Sequence, residues 1–230
     1  MSLYSDKKPD YYSICREDLI RLIPAKSATN RVLEIGAGAG ATLARIKELG
    51  YGGETVGVDL VDLSQSSRPG IDSFYVVDIE DETFSLEQEY YDVILCGDVI
   101  EHLRDPWRAM RRLAALLKPG GVLIASIPNL REKSLLKKIV LGGDFSYTDC
   151  GTLDRSHLRF FCKRNMLELL EGSGLKVARV ATDLDSKKLT HPRVWQNRMT
   201  FGIFEEFFVT QYYFVAEKKG TKETEETQGT

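Results

Sequence analysis

Apolar residues fall along this chain in two alternating kinds of run. Short runs rich in β-branched residues occur at 31–35 (Arg-Val-Leu-Glu-Ile), Thr55–Val58, Phe74–Val77, Tyr91–Cys96, Val122–Ile127, Lys176–Ala181 and Gln211–Ala216. Their length and the acids, glycines or prolines that close most of them predict strands. Between several of them apolar positions return at helical spacing. One such stretch is Ala41–Leu49, stopped by Gly50. A second begins at Pro106 after the capping residue Asp105 and carries the stripe Trp107, Met110, Leu113, Ala114 and Leu117. A third is Arg164–Glu171. Short apolar strands alternating with helices predict an α/β fold: a doubly wound, mostly parallel seven-stranded sheet covered on both faces.

Residues 128–161 interrupt this rhythm with Pro128-Asn129, a basic helical stretch Arg131–Val140, Gly142-Gly143 and Leu153–Phe161. So long an insert in an α/β domain predicts a lid over about 130–161. The polar end Lys218–Thr230 predicts a disordered tail, which leaves one domain over 1–217. Met1–Tyr12 is polar, and the longest apolar run, Val122–Ile127, is too short to span a bilayer. No signal peptide and no membrane span are expected, and the location read from this is cytoplasmic.

Composition removes several classes. With 31 Lys and Arg against 34 Asp and Glu the net charge is −3, so no nucleic-acid partner is expected. Cys15, Cys96, Cys150 and Cys162 form no Cys-x-x-Cys pair, which excludes a zinc knuckle or a thioredoxin-like motif. Unpaired cysteines without a secretion signal fit a reducing compartment.

The chemistry begins at Gly36-Ala37-Gly38-Ala39-Gly40, directly after the first predicted strand. A glycine turn there lets a cofactor approach the backbone. Gly36-x-Gly38-x-x-Ala41 satisfies the permissive dinucleotide fingerprint, and Asp59 lies about the ~20 residues downstream expected of a ribose-binding acid. Charge opposes a nicotinamide-dependent oxidoreductase. Glu34, Asp59, Asp78 and Asp98 stand at the ends of successive strands. Any one of them is as readily a cap or a solvated loop residue, but together they would repel a pyrophosphate and attract a cation.

These residues resemble the class I S-adenosylmethionine-dependent methyltransferases. Val32-Leu33-Glu34-Ile35-Gly36-Ala37-Gly38-Ala39-Gly40 matches that family's first motif, and Val56-Gly57-Val58-Asp59, Asp78-Ile79, Tyr91-Asp92-Val93-Ile94, Asp98–Leu103 and Leu117–Gly121 match later ones. Ser126-Ile127-Pro128-Asn129 and Leu153–Phe161, with Tyr12 and Arg16, resemble a bacterial branch near the ubiquinone-biosynthesis O-methyltransferases and glycan-associated methyltransferases. The resemblance implies S-adenosylmethionine as cofactor. It implies Glu34, Gly36 and Gly38 at the methionine end, Asp59 on the ribose, Asp78 and Ile79 at adenine, and Asp98 beside the methyl. It also implies a small-molecule or glycan acceptor, methylated at oxygen.

A hydroxyl acceptor needs a base. His157, flanked by Arg155 and Arg159 in the insert, is the first candidate, and Asp98 or Glu101 follows it. His102 is a catalytic candidate as well, although ordering the cofactor loop is its favoured role, and His191 is read as surface. Asp98, Glu101 and His102 have ligand types suited to magnesium or manganese, but a helix-start cluster with no metal is the preferred reading. Arg104, Arg108, Arg111 and Arg112 are read as a solvated face, and the aromatic group Phe201, Phe204, Phe207, Phe208, Tyr212, Tyr213 and Phe214 as mainly core around the final strand, with an oligomer interface as the alternative and Trp195 undecided. A carboxylate, amine or protein acceptor and a silent binding module are the alternatives, and the chain is expected to be a monomer or homodimer.

Overall fold

Alternation within the short apolar runs sends neighbouring side chains to opposite faces of one sheet. The structure, a computed structural model, describes residues 14–61 and 70–220. Its strands are β1 (Arg31–Ile35), β2 (Glu54–Asp59), β3 (Ser73–Val76), β4 (Tyr91–Gly97), β5 (Leu117–Pro128), β6 (Leu175–Thr182) and β7 (Gln211–Lys218). They form a seven-stranded sheet in the order β3-β2-β1-β4-β5-β7-β6. The pairs from β3 to β5 are parallel, and β7 runs antiparallel to both β5 and β6. The expected fold class is therefore the observed one.

The helices are α1 (Glu17–Ile20), α2 (Ala41–Leu49), α3 (Pro106–Leu116), α4 (Lys133–Gly142), α5 (Lys163–Glu171) and α6 (Pro192–Met199). Leu33, Ile94 and Leu123 face one core with Met110, Leu113 and Leu169 of α3 and α5. Val32, Val93, Leu95 and Ile124 face the other with Ile20, Leu43 and Ile46 of α1 and α2. Both faces are thus closed, as the apolar strands require.

Asp105 caps α3 as its sequence position predicts, accepting from the Arg108 amide at 3.0 Å, with Pro106 in the first turn. Asp105→Ala is expected to lower stability by about 1 kcal/mol (0.5–2) in chemical denaturation. Trp107 departs from its predicted stripe. It is half exposed, because it lies at the stripe's margin in the first turn, where no element covers it, whereas Met110 and Leu113 are buried. Lys118-Pro119-Gly120-Gly121, read as a breaker before the fifth strand, lies inside β5. A register shift between Tyr91 and Val93 of β4 absorbs it.

The insert divides in two. No residue of α4 is buried, but Leu153, Asp154, Ser156, His157 and Phe161 are. The Leu158 and Arg159 amides both donate to the Glu101 carbonyl, at 2.8 and 2.9 Å. The expectation of one lid over 130–161 is corrected for its second half, which is a packed part of the domain. Lys218, assigned to the tail, ends β7, with its ammonium 2.8 Å from the Leu117 carbonyl. Residues 221–230 and Tyr12 lie outside the described residues.

Candidate cofactor cleft and acceptor site

A cleft of about 570 Å³ opens at the carboxyl ends of the central strands, where the strand order reverses direction about β1 and β4. Its lining includes Glu34, Gly36, Gly38, Asp59, Asp78, Ile79, Asp98 and His102, so the structure brings together all the sequence-predicted site residues except His157.

The glycine turn is built for close approach. Gly36 has φ +73° and its amide donates to the Val58 carbonyl at 2.8 Å. A Cβ at Gly36 would lie 2.6 Å from Val99 Cγ2. Asp59 organises the same turn, because its carboxylate accepts from the amides of Gly38 at 2.7 Å and Val61 at 2.8 Å. Glu34 sits beneath, 4% exposed, and its Oε2 is buried with no hydrogen-bond partner. Burial pushes its carboxyl up to about 8, while the Thr42 hydroxyl and Arg16 pull the other way. A buried carboxylate oxygen that lacks a donor is uncommon, and this one shares the cleft lining with the glycine turn.

Asp98 has the left-handed backbone conformation, φ +55°. Three neighbours hold its carboxylate there. Arg16, at the start of α1, donates from Nη1 to Oδ2 at 2.8 Å; the Ser126 hydroxyl donates to Oδ1 at 2.9 Å; and the Gln211 amide also donates to Oδ1. Arg16 further pairs with Asp18 and reaches Ser126 Oγ at 2.9 Å. Gly97 is required beside it, since a Cβ there would lie 2.7 Å from the guanidinium. Ser126 and Gln211 were not foreseen as site residues. A hydroxyl at the end of an apolar run is a faint signal for Ser126, and nothing local marks Gln211.

At the far wall Asp78 and Glu80 share Arg104, whose Nη2 is 2.7 Å from Asp78 and whose Nε is 3.2 Å from Glu80. Glu80, only 8% exposed, also accepts the amides of Arg104 and Asp105. Arg112 donates to the carbonyls of Ile79 and Asp81 at 3.0 Å, and Arg108 pairs with Glu82. Three of the four arginines read as a solvated face therefore staple the loop after β3 onto α3. Ile79 is buried in that loop and presents an apolar wall to the cleft.

The histidines require a correction. His157 is 9% exposed, its Nδ1 lies 2.9 Å from the Thr152 carbonyl, and it is not among the residues that line the cleft. Its ring packs edge-on against His102 at 4.7 Å, with Nε2 4.0 Å from Glu101. The packed second half of the insert buries it behind His102, and Arg155, thought to flank it, pairs with Asp149. His102 is the histidine at the cleft. Its Nδ1 is 2.9 Å from the Ser156 carbonyl, which can only accept, so Nδ1 carries the proton and the lone pair lies on Nε2. Burial, with His157 nearby, lowers its basicity and favours the neutral ring, although the Ser156 bond and two acids oppose this. His191 caps α6, accepting from the Arg193 amide.

Glu101, 1% exposed, is pushed well above the usual carboxylate range by burial and by Asp98, and its Oε2 has no partner. Glu101, His102 and His157 bring three ligand atoms within 4.8 Å of one another, close enough to share a metal ion. This is not the set read from sequence, because Asp98 is turned to Arg16, Ser126 and Gln211 instead.

Comparison with known proteins follows the same lines. Residues 9–180 match the family described as a methyltransferase domain. A ubiquinone biosynthesis O-methyltransferase of Aeromonas salmonicida is 27% identical over 154 residues, 64% of this chain and 63% of that protein. One from Bordetella bronchiseptica is 35% identical over 116 residues, 48% of this chain and 47% of that protein. The chain therefore spans less than two thirds of these relatives' length. Among solved structures, a SAM-dependent methyltransferase from Archaeoglobus fulgidus superposes with a TM-score of 0.63 over 92% of this chain and 95% of that one, at 19% identity.

Proposed function

Because the chain belongs to the methyltransferase-domain family and has the class I S-adenosylmethionine-dependent fold, we propose that it methylates a hydroxyl oxygen of a small acceptor, a phenol or a sugar. The observation that carries the oxygen acceptor is His102, a neutral imidazole at the cleft with its Nε2 lone pair set by the Ser156 carbonyl.

The residues present fit the donor. Glu34 Oε2 lacks a partner where an ammonium would meet it, and a Cβ at Gly36 would lie 2.6 Å from Val99, so the turn stays bare of side chain there. Glu34, Gly36 and Gly38 would hold the methionine end, Asp59 the ribose hydroxyls, and Asp78 and Ile79 the adenine. When bound, the donor supplies an electrophilic methyl on a sulfonium. Asp98, kept rigid by Arg16, Ser126 and Gln211, sets a fixed negative charge beside that position. His102 takes the acceptor's hydroxyl proton on Nε2 as the oxygen attacks. Leu158 and Leu103 add apolar surface to the cleft lining. Relatives named as ubiquinone-biosynthesis O-methyltransferases support the same acceptor atom.

The test is transfer from methyl-labelled S-adenosylmethionine to a panel of phenols, nucleotide sugars, carboxylic acids and amines. The expected product is a base-stable methyl ether. Label found only in a base-labile ester or on nitrogen overturns the oxygen reading. Donor binding with no transfer to any acceptor points to a silent binding module.

A further inference from the structure

We infer that Arg104 is a donor-binding residue: its guanidinium donates to N7 of the adenine ring while Asp78 accepts from the adjacent 6-amino group. The inference rests on the adenine placement proposed above and is independent of the acceptor and of His102. Asp78, Ile79, Glu80 and Arg104 all line the cleft, and Arg104 is paired with both acids.

The direction of this side chain is fixed before any ligand arrives. The Arg104 amide and Nε donate to one oxygen of the buried Glu80, at 2.9 and 3.2 Å, and the Arg104 carbonyl accepts from Arg159 of the insert. From that base the side chain reaches outward, 68% exposed, and Nη2 donates to Asp78 Oδ2 at 2.7 Å. An arginine already ordered in this way loses little side-chain freedom on meeting a ligand. A guanidinium carries five N–H groups, and its bonds to the two acids use two of them. Among the described residues Nη1 has no hydrogen-bond partner.

The Asp78–Arg104 pair complements one edge of adenine. That edge sets a donor, the 6-amino group, beside an acceptor, N7, which is why a side chain offering one oxygen and one N–H reads adenine through two bonds. Asp78 Oδ2 and the Arg104 guanidinium offer the same acceptor and donor side by side, 2.7 Å apart. Asp78 keeps capacity for the amine. A carboxylate has about four acceptor sites, of which the Glu80 amide and Arg104 take two. The Ile79 amide bonds to no described residue and is free to meet N1 on the other side of the amino group, so N7 falls to Arg104.

The test is calorimetry of the full chain with S-adenosylhomocysteine and with its 7-deaza analogue, in which carbon replaces N7. The wild-type protein should bind the analogue about five- to tenfold more weakly, the loss of one charge-assisted hydrogen bond reduced by exposure to water. Arg104→Met should weaken S-adenosylhomocysteine by a similar factor and no longer distinguish the two ligands. A merely structural role would weaken both alike and leave their ratio at the wild-type value, which overturns the inference. Arg104→Lys keeps the charge but not the planar fork and should also narrow the ratio, which covers the case of an unstable methionine variant. Asp78→Asn tests the adenine placement itself. If it weakens binding while Arg104→Met leaves the discrimination intact, Arg104 is no ligand of N7 and the placement stands. If neither variant changes affinity, adenine lies elsewhere and both readings fall.

Discussion

Turnover of His102→Ala on a hydroxyl acceptor is expected to fall by about 10²–10⁴-fold, with donor affinity nearly unchanged. His102 is the one histidine among the cleft-lining residues, and the Ser156 carbonyl selects the tautomer that leaves Nε2 able to accept a proton. Asp98 is a poor alternative, because Arg16, Ser126 and Gln211 already occupy its oxygens. Glu101 is buried away from water and held toward its neutral form, which cannot take a proton. The pH profile of kcat carries the signature. Burial lowers the His102 pKa below its ordinary 6.5, so kcat should be level near neutrality and fall only as acid protonates the ring below that value. His157→Ala should act through the orientation of His102 and be milder. Full turnover of His102→Ala on the same acceptor removes the base assignment. Loss of wild-type turnover with a chelator, restored by magnesium, would make His102 a metal ligand instead.

Donor affinity is expected to weaken as pH falls below about 8, approaching tenfold per pH unit, because the Glu34 carboxyl titrates near 8 in the free protein. The sign follows from burial. The empty site favours the neutral acid, whereas an ammonium at Oε2 favours the carboxylate, so binding releases a proton. Above about 8 the donor's own α-amino group loses its proton, and affinity should peak there. In the free protein the same raised pKa contributes stability that is full below about 4.5 and lost as pH rises through about 8. Glu34→Gln should abolish the slope below pH 8. It should also cost one charge-assisted hydrogen bond, about 1.5–3 kcal/mol or roughly 10- to 150-fold at the optimum. Calorimetry in buffers of different ionisation enthalpy reads the released proton directly. Equal, pH-independent affinity of both proteins would remove Glu34 from the ammonium site.

The strands, the glycine turn and the acids at the strand ends were legible along the chain because each is a local pattern. A run of Val and Ile that ends in Gly36 or Asp59 needs no distant partner to become a strand and a turn, and Asp105 caps α3 from three residues away. The cleft followed from the fold those elements imply, since all the acids lie at the same end of parallel strands. The roles of the polar side chains depended on partners far along the chain. Asp98 meets Arg16 across 82 positions and Gln211 across 113, distances at which sequence spacing carries no signal. His157 looked like the base because it stood between two arginines in an insert. His157 is instead buried, and His102, bonded to the Ser156 carbonyl, is the histidine that lines the cleft. The arginines beside α3 looked solvated until the loop after β3 brought its carbonyls and acids within reach of them. Local pattern set which backbone elements form and at which sheet edge the chemistry gathers. Tertiary packing decided which of those groups reaches the cleft and in what protonation state, because burial and long-range hydrogen bonds exist only once the chain has closed on itself.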